Sequence, residues 1–352
     1  MAPSRREVLT AALAVTLVPG TGLARVRDWP SGSIGLVIHS FPARLAGDRD
    51  LPPDQRFADP TRFFEYSRSL GAKGIQVGLG VRDPGDADKL RARIEAASMD
   101  VEAIVSPPKD EADVDRFDAE IRTARRVGAT VARTALLSGR RYETFATLSA
   151  FRDFKERAAR SLKLAVPSLD RHGVRLAVEN HKDFRADELM ALLGQTGSDR
   201  VGVCLDLGNN LALLEDPVET VEALAPSAIT THLKDMGVEE SEQGFRIAEV
   251  PLGTGVLDLP RLVGILRKAH PRIPLNLEMI TRNPLEIPCL TVAYWATFPD
   301  LPARVLAKAL ASVRKRRPTQ PLPTVARLGQ EDRLRLEEEN IRLCLAYARE
   351  HL

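Results

Sequence analysis

The chain has 352 residues, a length that suits one large domain or two ordinary ones. Hydrophobic residues make up 44% and charged residues 28%, which is typical of a globular protein that folds in water. The net charge of +2 is too small to indicate a nucleic-acid partner, so we predict none. The one basic cluster, RKRR at 314–317, is interpreted as a solvated helix end.

Residues 1–24 are predicted to be an export signal rather than part of the fold. Arg5 and Arg6 precede an apolar run at 10–18, and Gly22 and Ala24 suit a small-residue cleavage site. The stretch resembles a twin-arginine signal, which predicts a periplasmic or secreted protein. The alternative is a basic N-terminus followed by a buried helix. The apolar run is too short for a stable membrane span, and no other segment is longer.

After residue 24, short apolar runs alternate with longer helix-like segments. The runs lie at 33–41, 74–79, 100–106, 130–137, 175–181, 201–208, 228–235 and 273–280. Such alternation predicts βαβ units with a parallel sheet, and eight units over about 250 residues predict an α/β protein with a (β/α)₈ barrel. A doubly wound open sheet is the alternative, but the first run lacks the glycine-rich turn that a nucleotide-binding sheet requires.

The barrel is predicted to occupy residues 25–312, followed by a linker and a C-terminal helix at 313–352. The segment 316–325 is rich in proline, and 330–352 has a helical stripe of apolar residues. We interpret this helix as a packing element, either on its own barrel or on a neighbouring chain in a homo-oligomer. The three cysteines, Cys204, Cys289 and Cys344, are too few and too widely spaced to predict a disulfide framework.

Four polar residues lie late in the last four apolar runs, and they are Glu179, Asp206, His232 and Glu278. Side chains alternate faces along a strand, and if these four face the barrel interior, their outward neighbours are aliphatic, except for Thr231. Each residue alone is more typical of a salt bridge or a structural histidine. Together they lie at the C-terminal mouth of consecutive strands, about 4.8 Å apart, and can converge on one cation.

The predicted cofactor is therefore one divalent metal ion. Three carboxylates and one imidazole suit Mn²⁺, Mg²⁺, Co²⁺ or Zn²⁺, and the ligand set does not choose between them. We take Mn²⁺ as the first candidate.

Several stretches resemble the xylose isomerase-like TIM-barrel superfamily, the sugar phosphate isomerase/epimerase group, over about 33–312. They are AVENH (177–181), VGVCLDLGN (201–209), THLKD (231–235) and VPLGTGVLDLPRLVGIL (250–266). The resemblance implies that the metal ligands are the four residues above and that Glu179 and Glu278 are catalytic and carry protons. One departure is Asn209, where many of the sugar epimerases have a histidine.

The resemblance also implies a small-molecule sugar or sugar derivative as substrate. We expect an isomerase or epimerase that works through a metal-bound enediolate. A lyase or dehydratase acting on a keto-sugar or glycoside is the alternative, and a non-catalytic carbohydrate-binding barrel is a weaker one. Residues near the mouth are candidates for substrate contact or for local salt bridges, and we take as substrate-binding His39, His181, Asn209, Lys234 and Arg246. Asp235 is expected to orient a metal ligand from behind.

Overall fold

The computed structural model describes residues 31–316 and 321–352. The predicted signal peptide, residues 1–24, lies outside the described residues, so the signal and the export route stay predictions. The described chain contains β1 Gly35–Val37, β2 Gly74–Val77, β3 Asp100–Ile104, β4 Val131–Thr134, β5 Arg175–Glu179, β6 Val201–Asp206, β7 Ala228–Leu233, β8 Asp235–Ser241, β9 Gly244–Val250, β10 Leu275–Leu277 and β11 Leu285–Ile287.

Eight of these strands form a closed, all-parallel barrel, which confirms the predicted fold. The strands pair in chain order from β1 to β7, β10 pairs with β7, and β10 closes the barrel against β1. Each barrel strand lies inside one of the eight predicted apolar runs. The remaining strands, β8, β9 and β11, form a separate antiparallel sheet that follows β7.

Helices surround the barrel. They are α1 Pro42–Gly47, α2 Pro60–Ser69, α3 Pro84–Ala96, α4 Val114–Val127, α5 Arg141–Thr144, α6 Leu148–His172, α7 Ala186–Gly194, α8 Pro217–Leu224, α9 Leu259–Ala269, α10 Ala303–Lys315 and α11 Gln330–His351. Among the described residues, no helix combines the length and apolarity needed to cross a bilayer.

Aspartates fix where several of these helices begin. Asp59, Asp83 and Asp216 each precede a proline at the first helical position, and each side chain accepts backbone N–H groups of the first turn. The carboxylate satisfies donors that have no partner inside the helix, and proline has no N–H to leave unsatisfied there. At the other end, α4 and α6 each stop at a glycine with a positive φ, Gly128 and Gly173.

The two faces of the barrel strands bury different side chains. The outward residues Leu176 and Val178 of β5 belong to the large apolar core shared with the helices. The inward residues Ala177 and Cys204 belong to a small separate cluster inside the barrel. Ile229, which the alternation predicts to face outward, joins this cluster, because the register between β6 and β7 shifts beside it. For β5 and β6 the structure follows the predicted alternation, and the C-terminal half of the interior is left to polar residues.

Helix α11 packs on its own barrel, one of the two arrangements that the sequence allowed. Ile341, Leu345 and Ala348 are buried on it. Its buried Glu337 accepts hydrogen bonds from the backbone N–H groups of Ala43 and Arg44 at the start of α1, at 2.6 and 3.3 Å. The helix therefore packs against the barrel through an apolar face, and its Glu337 carboxylate caps the start of α1.

Replacing Ile341 with alanine should destabilise the protein, because it removes buried methyl groups at this contact. We expect a loss of about 2–4 kcal/mol in the free energy of unfolding, measured by urea titration. Leu343 on the same helix is 49% exposed, so Leu343→Ala is a matched control with little effect. Equal losses in the two variants would contradict the docking of α11.

Candidate metal centre

The structure brings the four predicted ligands together at the C-terminal mouth of the barrel. Glu179 and Asp206 are the last residues of β5 and β6, His232 lies near the end of β7, and Glu278 follows β10. One potential ligand atom from each residue lies within 4.8 Å of the others, and all four residues are buried. The distance suits four ligands around a single ion.

The imidazole of His232 faces the three carboxylates directly. Its Nδ1 lies 3.4 Å from Glu179 Oε2, 3.8 Å from Asp206 Oδ2 and 3.5 Å from Glu278 Oε1. In the described part of the chain, this buried nitrogen has no hydrogen-bond partner. A lone pair beside three oxygen anions is stable only if a positive charge stands between them. The donor set and this unsatisfied nitrogen therefore fit a divalent cation.

Burial by itself would lower the pKa of His232, but its interactions with Cys204 and with the carboxylate of Glu278 outweigh burial and raise the pKa to about 9. Without a bound ion, Nδ1 therefore carries a proton at neutral pH, and a divalent cation held by the same carboxylates would take the place of that proton.

A chain of hydrogen bonds behind His232 sets the orientation of its ring. His232 Nε2 lies 2.8 Å from Gln76 Oε1, and Gln76 Nε2 donates to Glu102 Oε2 at 2.9 Å. Thr230 Oγ1 also donates to Glu102, at 2.8 Å. An ionised carboxylate only accepts, so Glu102 turns the amide N–H₂ of Gln76 toward itself and the amide oxygen toward His232. His232 then donates from Nε2 and keeps its Nδ1 lone pair for the cluster.

Gln76 and Glu102 were missed at the sequence level because they lie in the middle of β2 and β3, away from any strand-end motif. The available signal was a polar residue at an inward position of an apolar run. Burial raises the pKa of Glu102, and the hydrogen bonds from Gln76 and Thr230 act in the opposite direction.

Two buried cations balance part of the negative charge. Arg133 on β4 pairs with Glu179 Oε2. Lys234 Nζ lies 2.7 Å from both Asp206 Oδ2 and Glu278 Oε2. Three carboxylates against two cations leave one negative charge, which a divalent ion would convert to one positive charge. Arg133 was also missed by the sequence analysis, although its position in an apolar run was a signal.

The charges of Glu278 and Lys234 support each other. Burial raises the pKa of Glu278, but Lys234 and His232 outweigh it and hold the pKa well below its usual value. Burial lowers the pKa of Lys234, but Asp206 and Glu278 raise it above its usual value. Both groups are therefore ionised at neutral pH.

Besides Lys234, two of the predicted substrate contacts touch the cluster. Asn209 donates from its side chain to Glu179 Oε1 at 2.9 Å and from its backbone to Asp206 Oδ1 at 2.8 Å. His39 Nδ1 lies 3.5 Å from Glu278 Oε1, and its side chain is 41% exposed. His39 therefore lies on the solvent side of the cluster, and Asn209 holds Glu179 and Asp206 in place on the buried side.

His181 lies just beyond β5, and its Nδ1 donates to the carbonyl oxygen of Leu137 at 2.9 Å. Burial and the positive charges of Lys182 and Arg133 lower the pKa of His181 well below its usual value. The ring is neutral, and with the proton on Nδ1 its Nε2 is a hydrogen-bond acceptor.

Two residues near the mouth have partners outside the cluster. Arg246 lies on β9 and pairs with Glu239 of β8 at 2.7 Å, which is the local salt bridge that the sequence left open, and its contact with substrate stays a prediction. Asp235 accepts backbone N–H groups of Gly253, Gly255 and Leu257 and thereby holds the loop after β9. Alternation explains this, because Asp235 is one residue past the inward Lys234 and faces away from the ligands.

A protein-family model described as xylose isomerase-like TIM barrel matches residues 64–310. The chain belongs to this family. Over 115 residues, it is 30% identical to the 3-oxo-isoapionate decarboxylase of Pectobacterium atrosepticum, and the match covers 32% of this chain and 42% of the relative. The chain spans less than half the length of the curated relatives it matches.

Solved structures of low sequence identity share the fold. An L-ribulose 3-epimerase superposes with a TM-score of 0.54 and 19% identity, covering 90% of this chain and 95% of the epimerase. A xylose isomerase-like TIM barrel protein from Mycobacterium smegmatis in complex with magnesium gives a TM-score of 0.52 and 16% identity, covering 81% and 100%. At these identities, the likeness shows the fold alone.

Replacing Gln76 with methionine should weaken metal binding without removing a ligand, because the variant no longer accepts the Nε2 proton of His232. We expect about a 10- to 100-fold loss of Mn²⁺ affinity in calorimetric titrations. Gln330→Met is the matched control, since Gln330 donates to Ala43 far from the cluster. A folded Gln76→Met protein with unchanged affinity would contradict the assigned role.

Proposed function

We propose that the protein is a divalent-metal-dependent isomerase or epimerase that moves a proton at the carbon next to the carbonyl of a sugar or sugar derivative. The observation that carries the proposal is the convergence of three carboxylates and one imidazole at the barrel mouth. We take Mn²⁺ as the first candidate metal, with Mg²⁺, Co²⁺ and Zn²⁺ open. Solved structures with the same fold include an epimerase and a magnesium-bound barrel, which supports this class of reaction and a divalent metal without selecting one of the four metals.

The metal ligands in this proposal are Glu179, Asp206, His232 and Glu278. A divalent ion held there supplies positive charge that favours negative charge on the substrate's carbonyl oxygen and neighbouring hydroxyl. Lys234 adds a second positive charge, since its ammonium lies between Asp206 and Glu278. Together with Arg133, these groups make a buried site of low dielectric in which an enediolate is stabilised.

The two glutamates differ in ways that suit different proton-transfer steps. Glu278 lies beside the partly exposed His39, so a substrate entering the mouth meets it first. Glu179 is fully buried and is held by Arg133 and Asn209. In our proposal, Glu278 removes the proton, and Glu179, which takes up a proton from solvent before this step, returns one from the other side. Glu278 then releases its proton to solvent, which restores the starting state. Return to the same carbon gives an epimer, and return to the neighbouring carbon gives an isomer.

A lyase is the second candidate, and the 30% identity to a decarboxylase favours it. In decarboxylation of a 3-oxo acid, the bond to the carboxylate carbon breaks and its electrons form the enolate as carbon dioxide leaves. One glutamate then donates a proton to the carbon. The charges that stabilise an enediolate also stabilise this enolate.

We also propose export by the twin-arginine route, on the basis of the sequence of residues 1–24 alone. An exported enzyme meets free sugars, keto-sugars and glycosides more readily than cytoplasmic sugar phosphates.

Replacing Glu278 with glutamine should abolish exchange of the substrate C–H proton with D₂O, because the amide cannot accept the proton. We expect a decrease of at least about 10²-fold, followed by NMR with a panel of keto-sugars and sugar acids. Metal content measured in parallel separates loss of the base from loss of the ion.

The control for that experiment is Glu65→Gln, the same chemical change on the partly exposed surface of α2. Exchange at the wild-type rate in Glu278→Gln would refute the assignment of the base. A wild-type protein that binds sugars and metal but shows no exchange would indicate a non-catalytic binding barrel instead.

Product analysis separates the two reactions. If the protein is an isomerase or epimerase, incubation with its substrate gives a product of the same mass carrying one deuterium from D₂O. If it is a decarboxylase, each substrate molecule consumed releases one molecule of carbon dioxide. The product is then lighter than the substrate by the mass of CO₂, about 44 Da, apart from any deuterium taken up from the solvent. Carbon-dioxide release at the rate of substrate loss would replace the isomerase proposal with the lyase.

A further inference from the structure

Lys182 occupies a strained position three residues beyond Glu179. The residue is 3% exposed, and its backbone lies in the left-handed region with a φ of 64°. For a residue with a Cβ, this conformation costs of order 1–3 kcal/mol and persists only where the surroundings impose it. Here, the carbonyl of Lys182 accepts the backbone N–H of Arg141 at 3.0 Å, which holds the segment in place.

The ammonium of Lys182 differs from the other cations at the mouth in having no anionic partner. Its Nζ donates to Asn209 Oδ1, and Lys234 Nζ lies 3.5 Å from the same oxygen. Lys234 pairs with Asp206 and Glu278, and Arg282 pairs with Glu249 at 2.5 Å. Over residues 31–316 and 321–352, no carboxylate lies within 4.0 Å of Lys182 Nζ. Its hydrogen bond goes to an amide oxygen, and the carboxylates of Glu249 and Asp206 favour its charge only from a greater distance.

The charges around Lys182 explain why an anionic group of the substrate would fit there. Lys234 and Arg282 are cations that oppose its ammonium, whereas Glu249 and Asp206 favour it without pairing with it. A dication bound at the cluster would add positive charge to the same buried region, and an anion beside Nζ would offset it.

The pKa of Lys182 agrees with an unfilled anion position. Burial and the positive charges of Lys234 and Arg282 lower its pKa to about 7. An anion beside Nζ acts in the opposite direction and favours the charged form.

We propose that Lys182 binds a carboxylate group of the substrate, and that the substrate is therefore a sugar acid rather than a neutral sugar. The inference rests on the proposed function and names the substrate class for that site. A carboxylate suits a single buried ammonium. Lys182 donates one of its three N–H groups to Asn209, so two remain, which matches the two oxygens of a carboxylate but not the three terminal oxygens of a phosphate. Asn209 positions the ammonium, and the reacting carbon lies between Lys182 and the two glutamates.

The test measures binding rather than turnover, so it does not depend on the reaction being correct. Protein reconstituted with Mn²⁺ is titrated calorimetrically with a panel of five- and six-carbon keto-sugar acids and the neutral ketoses of the same length. We expect wild-type protein to bind at least one acid about 10- to 100-fold more tightly than its neutral counterpart. Lys182→Gln should remove that preference, so that the acid and its neutral counterpart bind with similar affinity.

Two further arms distinguish the alternatives. Lys182→Arg keeps the positive charge and should retain part of the preference, which a purely structural role of Lys182 does not predict. A ketose phosphate of the same carbon number should bind no better than the neutral ketose. The proposal is overturned if the panel shows no preference for acids, if Lys182→Gln retains the preference, or if the phosphate binds more tightly than the acids. Loss of deuterium exchange in Glu278→Gln is independent of all three outcomes.

Discussion

The confinement of three carboxylates around one imidazole is the constraint on which the mouth of this barrel depends. Like charges at such separations, away from water, are unstable unless opposite charges and hydrogen bonds compensate them. Arg133 and Lys234 provide two of these charges, and Asn209 provides two N–H groups. The remaining negative charge faces Nδ1 of His232, which has no hydrogen-bond partner among the described residues. A bound cation would balance this charge, so the four residues form a candidate metal site.

Residues inside the barrel, in the β8–β9 hairpin and on helix α11 support the cluster. Glu102 and Gln76 hold the imidazole of His232 from within the barrel. They therefore determine which ring nitrogen faces the carboxylates, although neither residue is one of the four ligands. Outside the barrel, the hairpin of β8 and β9 contributes Glu249, whose carboxylate pairs with Arg282 and lies 4.0 Å from Lys234. Helix α11 covers the barrel beside α1. Precise placement of the cluster therefore depends on both sheets.

One charge distribution can serve several reactions of the same family. Stabilising an enediolate or enolate is common to epimerisation, isomerisation and decarboxylation, and the two glutamates can handle the protons in each. What distinguishes the reactions is which bond of the substrate lies beside the glutamates. Lys182 is placed to decide this, because an anchor for a carboxylate fixes the orientation of the carbon chain in the mouth. In our proposal, a residue outside the ligand set therefore selects the substrate class.

The sequence by itself determined the barrel and the four converging residues. The barrel follows from apolar runs that alternate with helix-like segments, and the four residues follow from their positions late in consecutive runs. Both patterns can be read from short stretches of the chain. It could not place Gln76, Glu102 and Arg133 in the site, because their partners are 26 to 156 residues away and meet them only when the barrel closes. It also could not tell that Arg246 pairs across a hairpin or that Asp235 holds a loop. Only the tertiary structure decided those contacts, since burial and pairing depend on which strand ends become neighbours.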